Sequence, residues 1–178
     1  FGIHALSLRK GIMGWPEKYP VVAKHAFTFL FNQTEFGMGC PINVTDGCAK
    51  LLNNFGSEAL KAKYLDGLTQ TDMSRLTQGG QFMTEKEGGS DVGTLTTTAV
   101  QEGDHWRLHG EKWFCSNADA KVVMLLARPE GAGPGTRGVG LFLMPRYLDD
   151  GSQNHYRIVR LKDKLGTRSM ASGEIKFE

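Results

Sequence analysis

The sequence predicts an α+β chain in which helices come first and an antiparallel sheet, closed as a barrel or stacked as a sandwich, follows. Three observations carry that expectation. Before Gly80, apolar residues such as Val22, Ala26, Phe29 and Leu30 recur at helical spacing. From Gly80 onward, Thr, Val, Phe, Trp and Tyr gather in short runs split by Gly and Asp turns. No helical run separates those strands, which argues against an alternating parallel sheet.

Taken in order, residues 1–19 mix Gly, Pro and scattered apolar residues and read as irregular or weakly helical. A first helix is expected from Pro20 to Phe36, with Pro20 suited to a first turn, and Gly37-Met38-Gly39 as a break. Pro41 opens a second helix that Gly56 stops after Phe55, and Ser57 caps a short third one ending near Leu65 or Asp66. A polar connector then leads to strands expected at 80–84, 94–101, 105–109, 111–116, 121–127, 138–144, 154–161 and 172–178. Glu102-Gly103-Asp104 and His109-Gly110-Glu111 read as tight turns, and 131–138 and 148–154 as loops. The domain boundary is placed between residues 79 and 80.

Hydrophobic residues make up 40% and charged residues 22% of the 178, enough apolar material for a core. A net charge of +2 is too mild for a dedicated nucleic-acid binder, which would carry a concentrated basic stripe. No apolar run approaches the ~20 residues of a membrane helix, so no membrane partner is expected. The chain opens at Phe1 without a signal-peptide layout and reads as a segment of a longer protein. Cys40, Cys48 and Cys115 lack a Cys-x-x-Cys spacing, which suggests reduced thiols, a cytoplasmic location and no metal centre. His105 and His109, four apart in an extended stretch, are no ready chelate.

The chemistry concentrates at Gln81–Gly93, QFMTEKEGGSDVG. A strand delivers Thr84, and Gly88-Gly89 lets main chain approach a ligand because neither residue carries a Cβ. Successive N–H groups there, with the Ser90 hydroxyl, suit a phosphate or pyrophosphate; an ordinary hairpin turn fits the same letters. A dinucleotide-binding Rossmann turn is excluded, since the Gly pair runs into Thr-rich strand sequence instead of a helix. A second constellation is Gly110–Asn117, GEKWFCSN, where strand alternation puts Phe114 and Ser116 on one face. That pair would suit a flat heteroaromatic ligand, but taken alone a core Phe beside an edge Ser is the more ordinary reading. A third, Lys162–Ser169, is a charged turn before the last strand.

In this order the three stretches resemble the middle domain of the acyl-CoA dehydrogenase family. They are Thr84-Glu85-x-x-Gly88-Gly89-Ser90-Asp91, Gly110-x-Lys112 with Phe114–Asn117, and Lys164-Leu165-Gly166-x-Arg168. The wording MTEKEGGSDV, KWFCS and RLKDKLGTRS is most similar to its alkylation-response, AidB-like branch. The resemblance implies an antiparallel β-barrel preceded by the end of an N-terminal helical domain, with the C-terminal helical domain absent from this chain. It implies FAD, bound by Gln81, Phe82, Met83, Thr84, Gly89, Ser90, Phe114, Cys115 and Ser116. Thr84 then lies on the pyrimidine side of the flavin, Ser90 serves both the pyrophosphate and the acyl-CoA substrate, and Ser116 sits near flavin N5. It also implies a homo-oligomer (dimer or tetramer) and an electron-transfer partner.

Several residues depart from the family pattern. Phe82 stands in place of a small residue, Thr94 in place of Gly, Ala or Ser, and Met170 in place of Ser or Thr. Phe114 replaces Trp and Ser116 replaces Thr. The family's catalytic base is a Glu of the C-terminal domain, so no catalytic residue is assigned, and Glu85 and Glu87 are not promoted to that role. The activity implied is α,β-dehydrogenation of an acyl-CoA thioester. The alternative is an AidB-like flavoprotein with a DNA-associated or alkylation-protective role.

Overall fold

A computed structural model describes residues 2–177. Residues 3–5 and 12–14 form single 3-10 turns. Helices α1 (Val21–Thr34), α2 (Phe36–Phe55) and α3 (Glu58–Leu68) follow. The strands are β1 (Gly79–Phe82), β2 (Thr98–Glu102), β3 (His105–Ser116), β4 (Val122–Pro129), β5 (Gly140–Pro145), β6 (Tyr156–Leu161) and β7 (Ser172–Phe177).

Helices α2 and α3 start where a side chain can satisfy one of their first N–H groups. The Glu35 carboxylate accepts from the Met38 amide at 3.2 Å and starts α2, so Gly37 and Gly39 lie inside its first turns instead of breaking the chain. The break falls at Glu35 itself. Pro41 therefore sits within α2 instead of opening it. Ser57 caps α3 as expected, accepting from Leu60 N at 3.3 Å. Helix α1 forms where the spacing placed it, but its apolar stripe faces outward: Val22 is 77% and Phe29 66% exposed. The buried side of α1 instead carries Lys24, ion-paired with Asp46 of α2.

Helix α2 packs on β1. The Thr45 hydroxyl accepts from Gly79 N at 3.1 Å, and a Cβ on Gly79 would lie 2.7 Å from Cys48 Cβ. Strand β4 is buried on both faces. Val122 and Met124 meet Cys48, Ala49, Leu52 and Leu68 of the helices. Val123, Leu125 and Ala127 enter the sheet core with Phe82, Ala99, Cys115, Ile175 and Phe177. A strand buried on both sides reads as the near-continuous apolar run VVMLLA.

Helices followed by a β-domain match the expectation, while the closed, wholly antiparallel detail does not. The seven strands make one mixed sheet, with β1 and β2 both running parallel to β4. Those two strands lie end to end in a single lane between β3 and β4. Phe82 pairs with Leu125 and Thr98 with Arg128, so Leu126 and Ala127 face an interruption. On the other side Gln81 pairs with Ser116 and Thr98 with His109. Residues 83–97 leave the sheet in that interruption and return to it. The strand expected from residue 94 therefore begins only at Thr98, after a 3-10 turn at Val92–Thr94.

Two expected strands, 105–109 and 111–116, are one. Gly110 does not turn the chain; at φ +140° it keeps β3 continuous where a Cβ would come 2.8 Å from Thr97 Cα.

Candidate functional site

The excursion at residues 83–97 is shaped by short-range hydrogen bonds. Glu85 N donates to Gly88 O at 3.0 Å and Gly88 N to Glu85 O at 3.3 Å, closing a tight turn. Neither Gly88 nor Gly89 adopts a positive φ, so the turn is not a left-handed anion nest. What the glycines supply is room: a Cβ on Gly89 would lie 3.1 Å from Thr84 Cγ2, and one on Gly88 2.9 Å from Thr94 Oγ1. Ser90 is exposed at the tip. Asp91 accepts from Gly93 N at 3.0 Å and, through its carbonyl, from Thr94 Oγ1 at 2.8 Å.

The register of β1 on β3 continues past the end of β1. Gln81 pairs with Ser116, and Trp113 N donates to Thr84 O at 2.8 Å. The stretch Gln81–Thr84 thus runs beside Trp113–Ser116, and the two groups of sequence-predicted residues share one strip. Thr84, Met83 and Ser116 are half-buried there. The side chains of Phe82 and Cys115, by contrast, belong to the core, so only their backbone can meet a ligand. Gln81 reaches toward Gly47 of α2.

Strict alternation does not hold from Lys112 to Cys115, although Phe114 and Ser116 both lie off the buried side that Cys115 occupies. The β3–β7 register shifts between Lys112 and Cys115, and Phe114 has φ +55°. This bulge buries both Lys112 and Cys115, leaving Phe114 59% exposed. The Trp113 and Phe114 rings lie 6.2 Å apart at 67°. Lys162 Nζ sits 4.0 Å from the first centroid and 3.9 Å from the second. Beside Phe114, a cleft of about 500 Å³ is lined also by Arg160, Leu161, Lys162, Asp163, Lys164 and Glu174.

Two residues matter that the motifs did not single out for this purpose. Glu85 is buried and accepts from Thr96 N (2.6 Å), Thr96 Oγ1 (2.8 Å), Thr97 N (3.1 Å), Thr97 Oγ1 (2.6 Å) and Lys112 Nζ (2.6 Å). Burial pushes its carboxyl upward, but the bonds from Lys112, Thr97 and Thr96 outweigh that and hold its pKa at about 2. A carboxylate so occupied is a poor base, which agrees with leaving Glu85 out of any proton-abstracting role. Arg128 is the second. It donates to Gly133 O (2.5 Å) and Gly135 O (3.2 Å) of one loop and to Gly93 O (2.8 Å) of the other, tying the two Gly-rich loops together. Its only sequence signal was a charge ending an apolar run.

Burial raises the Cys48 and Cys115 thiols to about 12, whereas Cys40 is half-buried. A maleimide at pH 7.5 is therefore expected to label Cys40 and to spare the other two until the protein unfolds, as read by peptide mass spectrometry. Among the described residues, no group of three or more His, Cys, Asp or Glu is placed to hold a metal ion. Among them too, no helix is long and apolar enough to cross a membrane.

A run of helices leading into a mixed sheet, interrupted by a Gly-turn loop beside an aromatic bulge, defines a recognisable class. The family model for the acyl-CoA dehydrogenase middle domain matches residues 80–178. The chain is 42% identical over 159 residues to acyl-CoA dehydrogenase family member 11 of Caenorhabditis elegans, covering 84% of this chain and 26% of that protein. It is 38% identical over 166 residues to the putative acyl-CoA dehydrogenase AidB of Escherichia coli K12, covering 88% and 30%. Among solved structures, C. elegans ACDH-11 in complex with C11-CoA superposes with a TM-score of 0.84 at 36% identity. That match covers 99% of this chain and 31% of the other. The glutaryl-CoA complex of glutaryl-coenzyme A dehydrogenase gives 0.84 at 28% identity, covering 99% and 43%. The chain belongs to the acyl-CoA dehydrogenase family. It spans about a third or less of the curated relatives named here.

Proposed function

We propose that the full-length protein is an FAD-dependent acyl-CoA dehydrogenase-like oxidoreductase that removes hydrogens from the α and β carbons of an acyl-CoA thioester. The observation that carries the reading is the shared strip, with Gln81–Thr84 running antiparallel beside Trp113–Ser116. Its donor set fits a flat, hydrogen-bonding ring: hydroxyls at Thr84 and Ser116, main chain at Met83 and Cys115, and an exposed aromatic at Phe114. Gly89 and Ser90 offer close main-chain approach and a hydroxyl to the phosphates and to acyl-CoA. FAD, when bound, supplies the two-electron acceptor; the protein's part is to orient the ring and to set the hydrogen bonds that favour its reduction.

On this reading residues 1–79 close an N-terminal helical domain and 80–178 form the flavin-binding domain of a cytoplasmic homo-oligomer that passes electrons to a partner protein. We prefer it to the DNA-associated alternative because the family membership rests on dehydrogenases. Purified full-length protein is expected to be yellow, to release FAD on denaturation, and to bleach when titrated with acyl-CoAs of suitable chain length. A colourless protein that takes up no FAD sinks the proposal. Thr84→Val is expected to weaken FAD binding by roughly tenfold, the ~1.4 kcal/mol of one hydrogen bond, with little change in unfolding midpoint.

A further inference from the structure

We propose that Glu85 and Lys112 are positioning residues whose buried ion pair sets Met83–Thr84 against Trp113–Ser116, and thereby the affinity and orientation of the flavin this strip would hold. The inference rests on the flavin reading above and goes beyond it, because neither side chain lies on the ligand-facing strip.

The pair fills the interruption in the sheet. Gly110 to Lys112 of β3 lie opposite the place where the lane of β1 and β2 is broken, and the Lys112 side chain is 0% exposed there. Its ammonium reaches Glu85 Oε1 at 2.6 Å and Met83 O at 3.3 Å, so it ties β3 to both residues that flank Thr84. The Glu85 carboxylate holds the returning end of the excursion through Thr96 and Thr97, and its backbone closes the Gly88 turn. On the other side, Lys112 is the last residue in register before the bulge that turns Phe114 outward. Moving either charge therefore moves Thr84, the Gly88-Gly89 turn and Phe114 relative to one another.

An apolar pair of similar volume would fill the gap about as well for stability alone, since burying two charges costs desolvation. What an apolar pair cannot do is direct five donors to one carboxylate and hold Met83 O by a hydrogen bond. Geometry, not cohesion, is what the ion pair adds.

The test uses full-length protein with Glu85→Gln, Lys112→Met and the double variant, which is neutral at both positions. FAD affinity, visible circular dichroism of the bound flavin, and amide exchange at Trp113, whose N–H donates to Thr84 O, are read beside the unfolding midpoint. The double variant is expected to lose less stability than either single variant, because neither charge is left buried without its partner. It should still bind FAD about tenfold or more weakly, with an altered flavin spectrum and faster Trp113 exchange. A folded double variant with wild-type affinity, spectrum and exchange overturns the proposal and leaves the pair a stabilising contact only. Should the double variant not fold, Thr97→Val decides, since it removes one donor to Glu85: weaker FAD binding supports the proposal and unchanged binding overturns it. If wild-type protein itself takes up no FAD, the flavin reading fails. Trp113 exchange then still judges the positioning claim, which unchanged protection would refute.

Discussion

Glu85→Ala is expected to destabilise the protein by about 3–5 kcal/mol, because it strands the Lys112 ammonium in the sheet with, among the described residues, Met83 O left to receive it. The four donors from Thr96 and Thr97 lose their acceptor in the same step. The measurement is the urea midpoint at pH 7. The sign with pH follows from linkage. Glu85 titrates at about 2 in the folded protein against an ordinary 4.5, so its contribution is fully present above about pH 4.5. It is lost as pH falls toward 2, and the drop from 4.5 to about 2 corresponds to roughly 3 kcal/mol. Glu85→Gln should flatten the acid limb of the stability profile below pH 4.5. A variant whose acid limb matches that of wild type would show that another carboxylate governs it.

Gly110→Ala is the second large effect, about 3 kcal/mol or more. Two costs add. An L side chain is strained at φ +140°, and its Cβ would meet Thr97 Cα and Oγ1, both at 2.8 Å. Backbone cannot move aside as the end of a flexible side chain can, and pushing Thr97 away also removes two bonds to Glu85. Gly103→Ala separates the costs: φ there is +64° and nothing lies within 4 Å, so only about 1 kcal/mol of backbone strain is expected. Equal midpoints for the two variants would mean that the contact with Thr97 is relieved cheaply.

These residues mark where sequence reading succeeds and where it stops. The change of period at Gly80, the cap at Ser57 and most strand positions were legible because each rests on residues close in sequence. The strip joining Thr84 to Ser116 was anticipated through motif resemblance, not from spacing, since no local rule pairs residues so far apart. Gly110 was misread as a turn because a glycine between two β-runs looks the same whether it bends the chain or makes room for a neighbour. The bulge was hidden for a related reason: alternation predicts side-chain direction only in an unbroken ladder, and the shift at Lys112–Cys115 adds a residue. In α1 the spacing of Val22, Ala26, Phe29 and Leu30 located the helix but not the side it packs on. The side that packs carries Lys24, which meets Asp46 of α2, and Phe27, which meets Ala5, Leu6 and Ile12, contacts remote in sequence. The parallel pairings of β1 and β2 with β4 were hidden likewise, since a short strand run carries no mark of its partner's direction.

Residues 86–95 hang outside a sheet whose neighbouring lanes run on past them, fastened to it by the Arg128 bond to Gly93 O and by the buried Leu95. The carboxylate at the near mouth and the threonine pair at the far mouth hold the ends together whatever lies between. Such a segment behaves as an exchangeable cassette. Its other positions can vary without re-registering β3 or β4, provided Glu85, Gly93, Leu95, Thr96 and Thr97 stay in place.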